Sequence, residues 1–405
     1  MAAGERPTPG GGPDDVRLRG FADRASLDQA QAWVDARSAR LGAVEVGVAD
    51  SVGRIPAAPP AVVRDHPPAD RAGEDGYAVR SGETIGATSY SPASFRLQDA
   101  AAPLAPGAAA LVAAGAPLPA GADALAGFDA AQASGRTLEV IGSVAEGAGI
   151  ERAGQQLRAG TPLGAMLGPI RPHQAGLLAS LGVTRVSVVA HPRVRLLVAG
   201  PKPAPGAPGE GDAHRPMLHA LVERDGGIVE AAEVRSDLRG ALRRAAASGA
   251  DLVILSGRTG AGPDDEAPLA LAEVGALAFH GVALRPGGSA AMGLAGEVPV
   301  ALLPGDPLAC LCAYELLAGR LVRRLGGRDP GLPHPTREAE VGRKIVSAVG
   351  LVEACQVRLA AGRVEPLGAP EFGGLAVAAR ADGFVVVPEA LEGYPPGARV
   401  TVHLY

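Results

Sequence analysis

Aromatic residues are scarce in this sequence, at 3% of 405 residues, although 47% of the residues are hydrophobic. The core must therefore be aliphatic and rich in alanine, and stacking of bases on aromatic side chains is excluded as a main mode of binding. The net charge of −5 provides no basic surface, so we expect no nucleic-acid partner. Lysine is rarer still, with two residues against 36 arginines, a skew typical of GC-rich coding that predicts exchange of lysine for arginine.

Cysteine is scarce as well, and Cys310, Cys312 and Cys355 lack the spacing of a metal site. An odd and sparse set of cysteines is typical of a reducing compartment. Residues 1–20 are rich in glycine and proline and contain no apolar segment of the signal-peptide kind, so we expect a disordered tail. Because no run of about 18 apolar residues occurs, no membrane span is predicted. The sequence thus predicts a cytoplasmic protein without a membrane partner.

Glycine and proline are abundant, with 57 and 36 residues, and the patterns between them change along the chain. Ser26 precedes an apolar stripe that predicts a helix over 26–42. Short β segments separated by glycine and proline fill 76–190, and alternating β patterns over 338–405 predict a small separate β domain. The length alone predicts about two to four domains.

Buried strands and helices alternate between residues 191 and 328. Apolar runs predict strands at 194–199, 251–255 and 298–303, with shorter β patterns at 227–229 and 277–283. Helical patterns lie between them at 216–224, 238–247, 269–274 and 307–325, the last with Asp306 as N-cap and Pro307 in its first position. This alternation predicts a doubly wound α/β domain with a mainly parallel sheet, in which ligands lie beyond the carboxyl ends of the strands.

Three glycine-containing loops follow or join these strands: loop A at 256–265, loop B at 285–289, and loop C at 304–307. Backbone N–H groups in such loops, together with a helix N-terminus, form an anion site. In this interpretation Arg285 clamps a phosphate, while Asp264 and Asp265 hold Mg²⁺ beside it. Ordinary turns in a glycine-rich protein remain the alternative.

Several stretches share their order with the motifs of one protein family. The first two are Asp75-Gly76-Tyr77-Ala78 and the proline- and glycine-rich stretch 115–124. Asp212-Ala213-His214 follows, at the position where the family has Asp-Ser/Thr-Asn. Loops A, B and C then lie where the family has, in turn, Ser-Gly-Gly-Val-Ser-x-Gly-x-x-Asp, Lys-Pro-Gly-Lys-Pro and Pro-Gly-Asn-Pro. From about residue 26 to the C-terminus, the sequence thereby resembles the molybdopterin molybdenumtransferase family, the MoeA and gephyrin E-domain type.

The resemblance implies a multidomain α+β protein. A MogA-like α/β domain would occupy 191–328, and a small β-barrel-like domain 336–405. A linking domain, split in sequence, would consist of 21–60 and 150–190, with a β-rich domain carrying the Asp-Gly-Tyr motif at 61–149. The family is homodimeric, and its site lies between the α/β domain of one subunit and the Asp-Gly-Tyr domain of the other.

The family's reaction inserts molybdenum from molybdate into adenylylated molybdopterin, a pterin phosphate, with Mg²⁺ and release of AMP. Carried over to this sequence, the catalytic candidates are Asp212, Asp251 and Asp265. The ligand-binding candidates are Asp75, Gly76, Tyr77, Ser256, Gly257, Gly262, Arg285, Pro286, Ser289, Pro304, Gly305 and Asp306. The magnesium candidates are Asp212, Asp264 and Asp265. For each of these acids, a capping or surface role is the alternative, and a turn role is the alternative for Asp75.

Several family positions are replaced in this sequence. Where the family has Thr-Gly-Asp-Glu, this chain has Ala199-Gly200-Pro201-Lys202, and where the family has Gly-Glu-Asp, it has Gly154-Gln155-Gln156. Pro268 replaces the family's lysine after loop A, and Gly288 replaces the second lysine of loop B. Asp306 replaces the asparagine of loop C. Coding bias explains Arg285 in place of lysine but not these losses. Two hypotheses follow: a divergent molybdenum insertase, or a catalytically weakened paralogue that binds molybdopterin or its finished cofactor and works with other cofactor-biosynthesis proteins or molybdoenzymes.

The eight histidines do not indicate a zinc site. His214 and His219 are five residues apart, which fits neither i,i+4 ligation nor a His-Glu-x-x-His pattern. We therefore expect these histidines to be exposed to solvent or hydrogen-bonded in the core.

Overall fold

A computed structural model describes residues 15–60, 62–161, 163, 168–199, 212–233, 237–368 and 374–405. The chain divides into two compact units. The smaller unit comprises Val46–Val186, and the larger unit combines the chain up to Glu45 with Ser187–Tyr405. Within the described ranges, no helix combines the length and apolar character needed to traverse a bilayer.

The smaller unit is built on one six-stranded sheet. Its strands, in spatial order, are Ala124–Gly127, Gly76–Val79, Ala108–Val112, Ala93–Gln98, Thr137–Val140 and Ala131–Ser134. Only the pair 93–98 and 108–112 is parallel. Alanine-rich strands such as 108–112 pack around Val79, Phe95 and Leu138, which form an aliphatic core with one phenylalanine. Smaller elements are Arg71–Ala72 paired with Ile150–Glu151, the helix Pro172–Ser180, and 3₁₀ turns at Ala49–Ser51 and Ser81–Thr84.

The larger unit begins with the predicted helix, which spans Leu27–Asp35 rather than 26–42. Ser26 caps it as expected: the Gln29 N–H donates to Ser26 Oγ at 3.1 Å, and the Ser26 N–H donates to Gln29 Oε1 at 2.9 Å. Next in the chain, the strand Ala43–Gly47 pairs with Arg185–Val189.

The predicted α/β sheet is present, with six strands in the order Ile228–Glu233, Arg193–Val198, Leu252–Ser256, Val298–Leu303, Ala291–Ala295 and Ala276–His280. The first four are parallel to one another, and Ala291–Ala295 runs antiparallel to the strand on each side of it, which confirms a mixed, mainly parallel sheet. The Leu252–Ser256 strand is buried along its whole length, because Ile254 packs into the core on one face and Leu255 into the core on the other. Helices His214–Arg224, Leu238–Ala246 and Ala267–Val274 pack against this sheet. The Ala291–Ala295 strand was not predicted, since Ala-Met-Gly-Leu-Ala contains no β-branched residue.

The long helix predicted over 307–325 consists of three consecutive segments, Pro307–Ala313, a π-helical turn Tyr314–Ala318, and Gly319–Leu325. Its cap is as predicted, because Asp306 Oδ1 accepts the Ala309 N–H at 2.8 Å. The π turn contains buried polar side chains: Tyr314 Oη donates to Asp225 at 3.1 Å, and Arg224 donates to Glu315 at 2.7 Å. Such π turns are rare and occur mostly as single turns inside α-helices.

The C-terminal region forms the predicted small barrel. Its five strands, Thr336–Val341, Val352–Ala360, Arg363–Pro366, Gly383–Val387 and Arg399–Leu404, close because 352–360 pairs with both 363–366 and 383–387. The short strand Leu284–Arg285 adds to it in parallel beside 352–360. Two further strands, Ile345–Val346 and Gly393–Tyr394, pair with each other, and the short helix Gly374–Ala378 precedes the fourth barrel strand.

Part of the predicted disordered tail is ordered. Asp15 is 6% exposed, and the Leu18 N–H donates to the Ala261 carbonyl of loop A at 2.9 Å. Residues 15–20 therefore pack on the α/β domain, which corrects the prediction for this part of the segment. Residues 1–14 lie outside the described chain.

Candidate anion-binding site

Loops A, B and C meet at one edge of the sheet. Ser256 and Leu303 end adjacent parallel strands in register, and Ala291, which follows loop B, pairs with Leu302 beside them. The Gly257 N–H donates to the Leu303 carbonyl at 2.9 Å, which joins loop A to the strand before loop C. Thr259 Oγ1 lies 3.2 Å from Ser289 Oγ, which joins loop A to loop B. The structure thus brings together the three segments selected from the sequence.

Glycine is required at position 257 of loop A. Gly257 has φ +100°, and a Cβ there would overlap the carbonyl oxygen of Ala199 at well under 3.0 Å. A Cβ on Gly305 would lie 3.6 Å from Gly257 Cα, so loops A and C are in backbone contact. Arg258 follows in the left-handed region, with φ +57°, a conformation that costs a side chain about 1 kcal/mol or more. Loop A therefore contains backbone strain directly after its glycine-dependent contact with Ala199.

One of the two acids of loop A stabilises its backbone. Asp265 Oδ2 accepts the Gly262 N–H at 2.7 Å, while Asp264 is exposed. On the other side of the loop, the His280 ring nitrogen Nε2 lies 2.7 Å from the Thr259 carbonyl oxygen. Burial lowers the pKa of His280, which favours a neutral ring that donates to this carbonyl.

Loop C ends in a helix N-terminus that already has a carboxylate cap. Asp306 satisfies the Ala309 N–H, and Pro307 has no N–H, so fewer donors remain for an external anion than in an uncapped helix. Pro304 is buried, whereas Gly305 and Asp306 are exposed. An anion at this edge must therefore be held mainly by loop backbone rather than by the helix dipole.

His214, which was expected to be an ordinary histidine, joins loop A to loop C. Its Nδ1 lies 2.6 Å from Ser256 Oγ, and its Nε2 lies 3.0 Å from the Gly305 carbonyl oxygen. Asp212 caps the same helix start, since its Oδ1 accepts the N–H groups of His214 at 3.0 Å and Arg215 at 3.1 Å. The available sequence signal was the position of His214 in the Asp212-Ala213-His214 triplet.

Two predicted site residues lie elsewhere or have other partners. Asp251 precedes its strand, and its Oδ2 accepts the Arg193 N–H at 2.8 Å, so it lies at the amino edge of the sheet. The strand separates it from loop A by roughly 16 Å, at about 3.3 Å per residue. Arg285 does not present a free guanidinium for phosphate: its Nε donates to Glu353 Oε2 at 3.0 Å, and its Nη2 donates to the same oxygen. Glu353 belongs to the barrel and is 2% exposed, so burial holds this pair in place.

The Asp-Gly-Tyr motif belongs to the smaller unit. Asp75 is exposed and accepts the Ala114 N–H at 2.7 Å, which gives it a turn-stabilising role. Gly76 faces the Ala126 carbonyl so closely that a Cβ would lie 2.8 Å away. The Tyr77 ring meets Phe128 edge to face, with 5.6 Å between centroids. The motif thus has structural roles within its own sheet.

Some replaced family positions lie within the described chain and some outside it. Residues 200–211, which include the Gly-Pro-Lys part of the first replaced motif, are outside. Gln155 is within the described chain, and its Oε1 accepts the Arg152 N–H at 2.8 Å. Among the described residues, no three histidine, cysteine or acidic side chains gather in a metal-binding group.

The chain combines a doubly wound α/β domain, with glycine loops at the carboxyl edge of its sheet, and a closed five-stranded barrel. Three sequence profiles match the chain in order: "MoeA N-terminal region (domain I and II)" over residues 25–182, "Probable molybdopterin binding domain" over 199–324, and "MoeA C-terminal region (domain IV)" over 338–405.

Individual relatives agree with the profiles. Molybdopterin molybdenumtransferase 2 of Mycobacterium tuberculosis is 29% identical over 82% of this chain and 88% of that protein. Molybdopterin molybdenumtransferase of Staphylococcus aureus is 24% identical over 90% of this chain and 91% of its own. The crystal structure of the molybdopterin biosynthesis MoeA protein from Pyrococcus horikosii superposes with a TM-score of 0.77 at 27% identity, covering 94% of this chain and 99% of that one. The chain therefore belongs to the MoeA family, the molybdopterin molybdenumtransferases of molybdenum-cofactor biosynthesis.

Proposed function

We propose that the protein binds adenylylated molybdopterin on loops A, B and C and inserts molybdenum from molybdate, releasing AMP. The observation that supports this proposal is the meeting of the three loops at the carboxyl edge of the sheet, where ligands of doubly wound folds bind. Main-chain N–H groups of glycine loops can approach a phosphate or an oxyanion closely because no Cβ intervenes.

Mg²⁺ is the metal that the family's reaction implies. The described residues provide no three-ligand cage, but Mg²⁺ commonly takes only one or two carboxylates and completes its shell with substrate phosphates and water. Asp212, Asp264 and Asp265 are the candidates for those one or two carboxylates, and the bound metal would neutralise charge on the phosphate oxygens. Asp264 carries the least committed carboxylate, since it is exposed while the other two cap backbone N–H groups.

The alternative, a weakened paralogue that binds the pterin without turnover, is favoured by one observation. Arg285, the cation that remains of the family's loop B lysines, is bonded to the buried carboxylate of Glu353. With Gly288 and Pro268 at the other lysine positions, compensation of charge on the anion is reduced. A charge-assisted hydrogen bond contributes roughly 1.5–3 kcal/mol, so these losses would slow a reaction more than they would abolish binding.

The assay incubates the purified protein with adenylylated molybdopterin, molybdate and Mg²⁺, and measures AMP release and pterin binding. The insertase predicts AMP well above a no-enzyme control, whereas binding without AMP would establish the paralogue. Absence of both would contradict the ligand assignment. Asp265→Asn tests the carboxylate at loop A. Asp251→Asn, at the opposite edge of the sheet, is the matched control, and it should leave AMP release and pterin binding unaltered.

Homodimerisation is a further part of the proposal. The smaller unit exposes Leu111 and Phe128 by 57% and 56%, and both lie near Tyr77 through the sheet pairing and the ring contact. Exposed apolar side chains of this kind are typical of an interface. Light scattering of the purified protein measures its mass, and a monomer at micromolar concentration would contradict the dimer.

A further inference from the structure

The His214 imidazole lies between two loops of the proposed site and has a polar partner on each. Loop A supplies Ser256 Oγ at 2.6 Å from Nδ1, and loop C supplies the Gly305 carbonyl oxygen at 3.0 Å from Nε2. Ser256 is 1% exposed, so its hydroxyl must find its hydrogen bonds inside the protein. Its other polar neighbour is Cys310 Sγ at 3.7 Å, and burial raises the pKa of this thiol to about 12, which keeps it protonated.

The two partners determine where the protons lie. A carbonyl oxygen only accepts, so Nε2 must carry the hydrogen that points to Gly305. In the neutral ring, Nδ1 is then an acceptor, and the Ser256 hydroxyl donates to it. The single proton of Ser256 is thereby used, and this hydroxyl cannot also donate to a bound anion.

The position of the ring is itself determined. His214 is the first residue of its helix, and Asp212 accepts its backbone N–H as well as that of Arg215. Side-chain motion is therefore restricted at both ends, by the capped backbone and by the two ring contacts. The Gly257–Leu303 backbone bond joins loop A to the strand before loop C, and His214 adds a side-chain link from Ser256 to Gly305 in loop C itself.

We infer that His214 is a positioning residue that holds loop C against loop A and directs the Ser256 hydroxyl away from the ligand. The role in ligand binding rests on the proposed function; the role in loop geometry does not. A serine–histidine pair at this distance also resembles a nucleophile with its base, but a serine buried to 1% exposure is inaccessible to a substrate.

Four variants separate the two contacts. His214→Asn keeps an amide near the Nδ1 position and so preserves the link to Ser256, whereas His214→Gln keeps an amide near Nε2 and preserves the link to Gly305. His214→Ala removes both links. His219→Ala is the matched control, since His219 lies on the same helix, is 44% exposed in its side chain, and pairs with Glu223 at 3.3 Å.

Two readouts do not depend on turnover. Nitrogen NMR of the wild type should show His214 with hydrogen on Nε2 and a bare Nδ1. Hydrogen exchange of the backbone amides in loops A and C should be about tenfold faster in His214→Ala. The Asn and Gln variants should show a smaller acceleration, and His219→Ala should exchange at the wild-type rate. Unchanged exchange in His214→Ala, or hydrogen on Nδ1 alone, would overturn the inference, as would labelling of Ser256 by a fluorophosphonate.

Binding and kinetics then test the link to function. A displaced loop should weaken binding of adenylylated molybdopterin or raise KM by about tenfold to a hundredfold, with Asn or Gln partly restoring it. If exchange changes while binding and KM do not, the role in ligand binding is refuted. If the wild type neither binds the pterin nor releases AMP while the NMR and exchange results hold, the proposed function fails and the loop-positioning role stands.

Discussion

Replacing Gly257 by alanine tests whether loop A depends on the close approach of its backbone to Ala199. Gly257 has φ +100°, and its added Cβ would overlap the Ala199 carbonyl oxygen. The positive φ costs about 1–3 kcal/mol, and the forced overlap with backbone adds about 1–3 kcal/mol more. We therefore expect unfolding of the larger unit to become easier by about 2–6 kcal/mol.

The control for this change is Gly296→Ala. Gly296 also has positive φ, at +63°, but a Cβ there meets nothing within 4 Å. It should cost only the conformational part, about 1 kcal/mol. Urea unfolding followed by circular dichroism measures both variants. Equal losses in the two variants would refute the argument, because the overlap with Ala199 would then contribute nothing.

Three further predictions concern buried polar groups. Burial acts to raise the pKa of Glu315, but hydrogen bonds from a histidine and an arginine outweigh it and lower the pKa overall. The contribution of Glu315 to stability should therefore be fully present above about pH 4.5 and be lost as the pH falls through the lowered pKa. The midpoint of urea unfolding, measured as a function of pH, tests this dependence. Glu315→Gln, which is also destabilising, should reduce the loss of stability at acid pH, and an unchanged acid dependence in this variant would contradict the prediction. Arg285→Ala should cost about 3 kcal/mol, since it leaves Glu353 buried without its partner, and a loss under about 1 kcal/mol in urea would refute that role. Burial raises the pKa of Cys310 and of Cys355 to about 12, so iodoacetamide at about pH 8 should label neither thiol until the protein is unfolded, as mass spectrometry would show.

Local sequence signals predicted the elements that frame the site. The strand at 252–256 follows from a continuous apolar run. The helix that begins at Pro307 follows from its N-cap, Asp306, and from the proline in its first position. The amino-edge position of Asp251 was also available from the sequence, because a residue that precedes a parallel strand lies opposite the loop that follows it. The catalytic role of Asp251 stays a prediction, which its position at the amino edge does not favour.

Contacts between distant segments had no local signal. The Ser256–His214 bond joins residues 42 apart in sequence, and the Arg285–Glu353 pair joins residues 68 apart. Whether Arg285 faces an anion or a barrel carboxylate depends on how the strand Leu284–Arg285 docks beside 352–360. The ends of helices and strands depend on residues a few positions away and can be read along the chain. The partners of buried charges depend on which elements pack together, and the tertiary structure alone decided them.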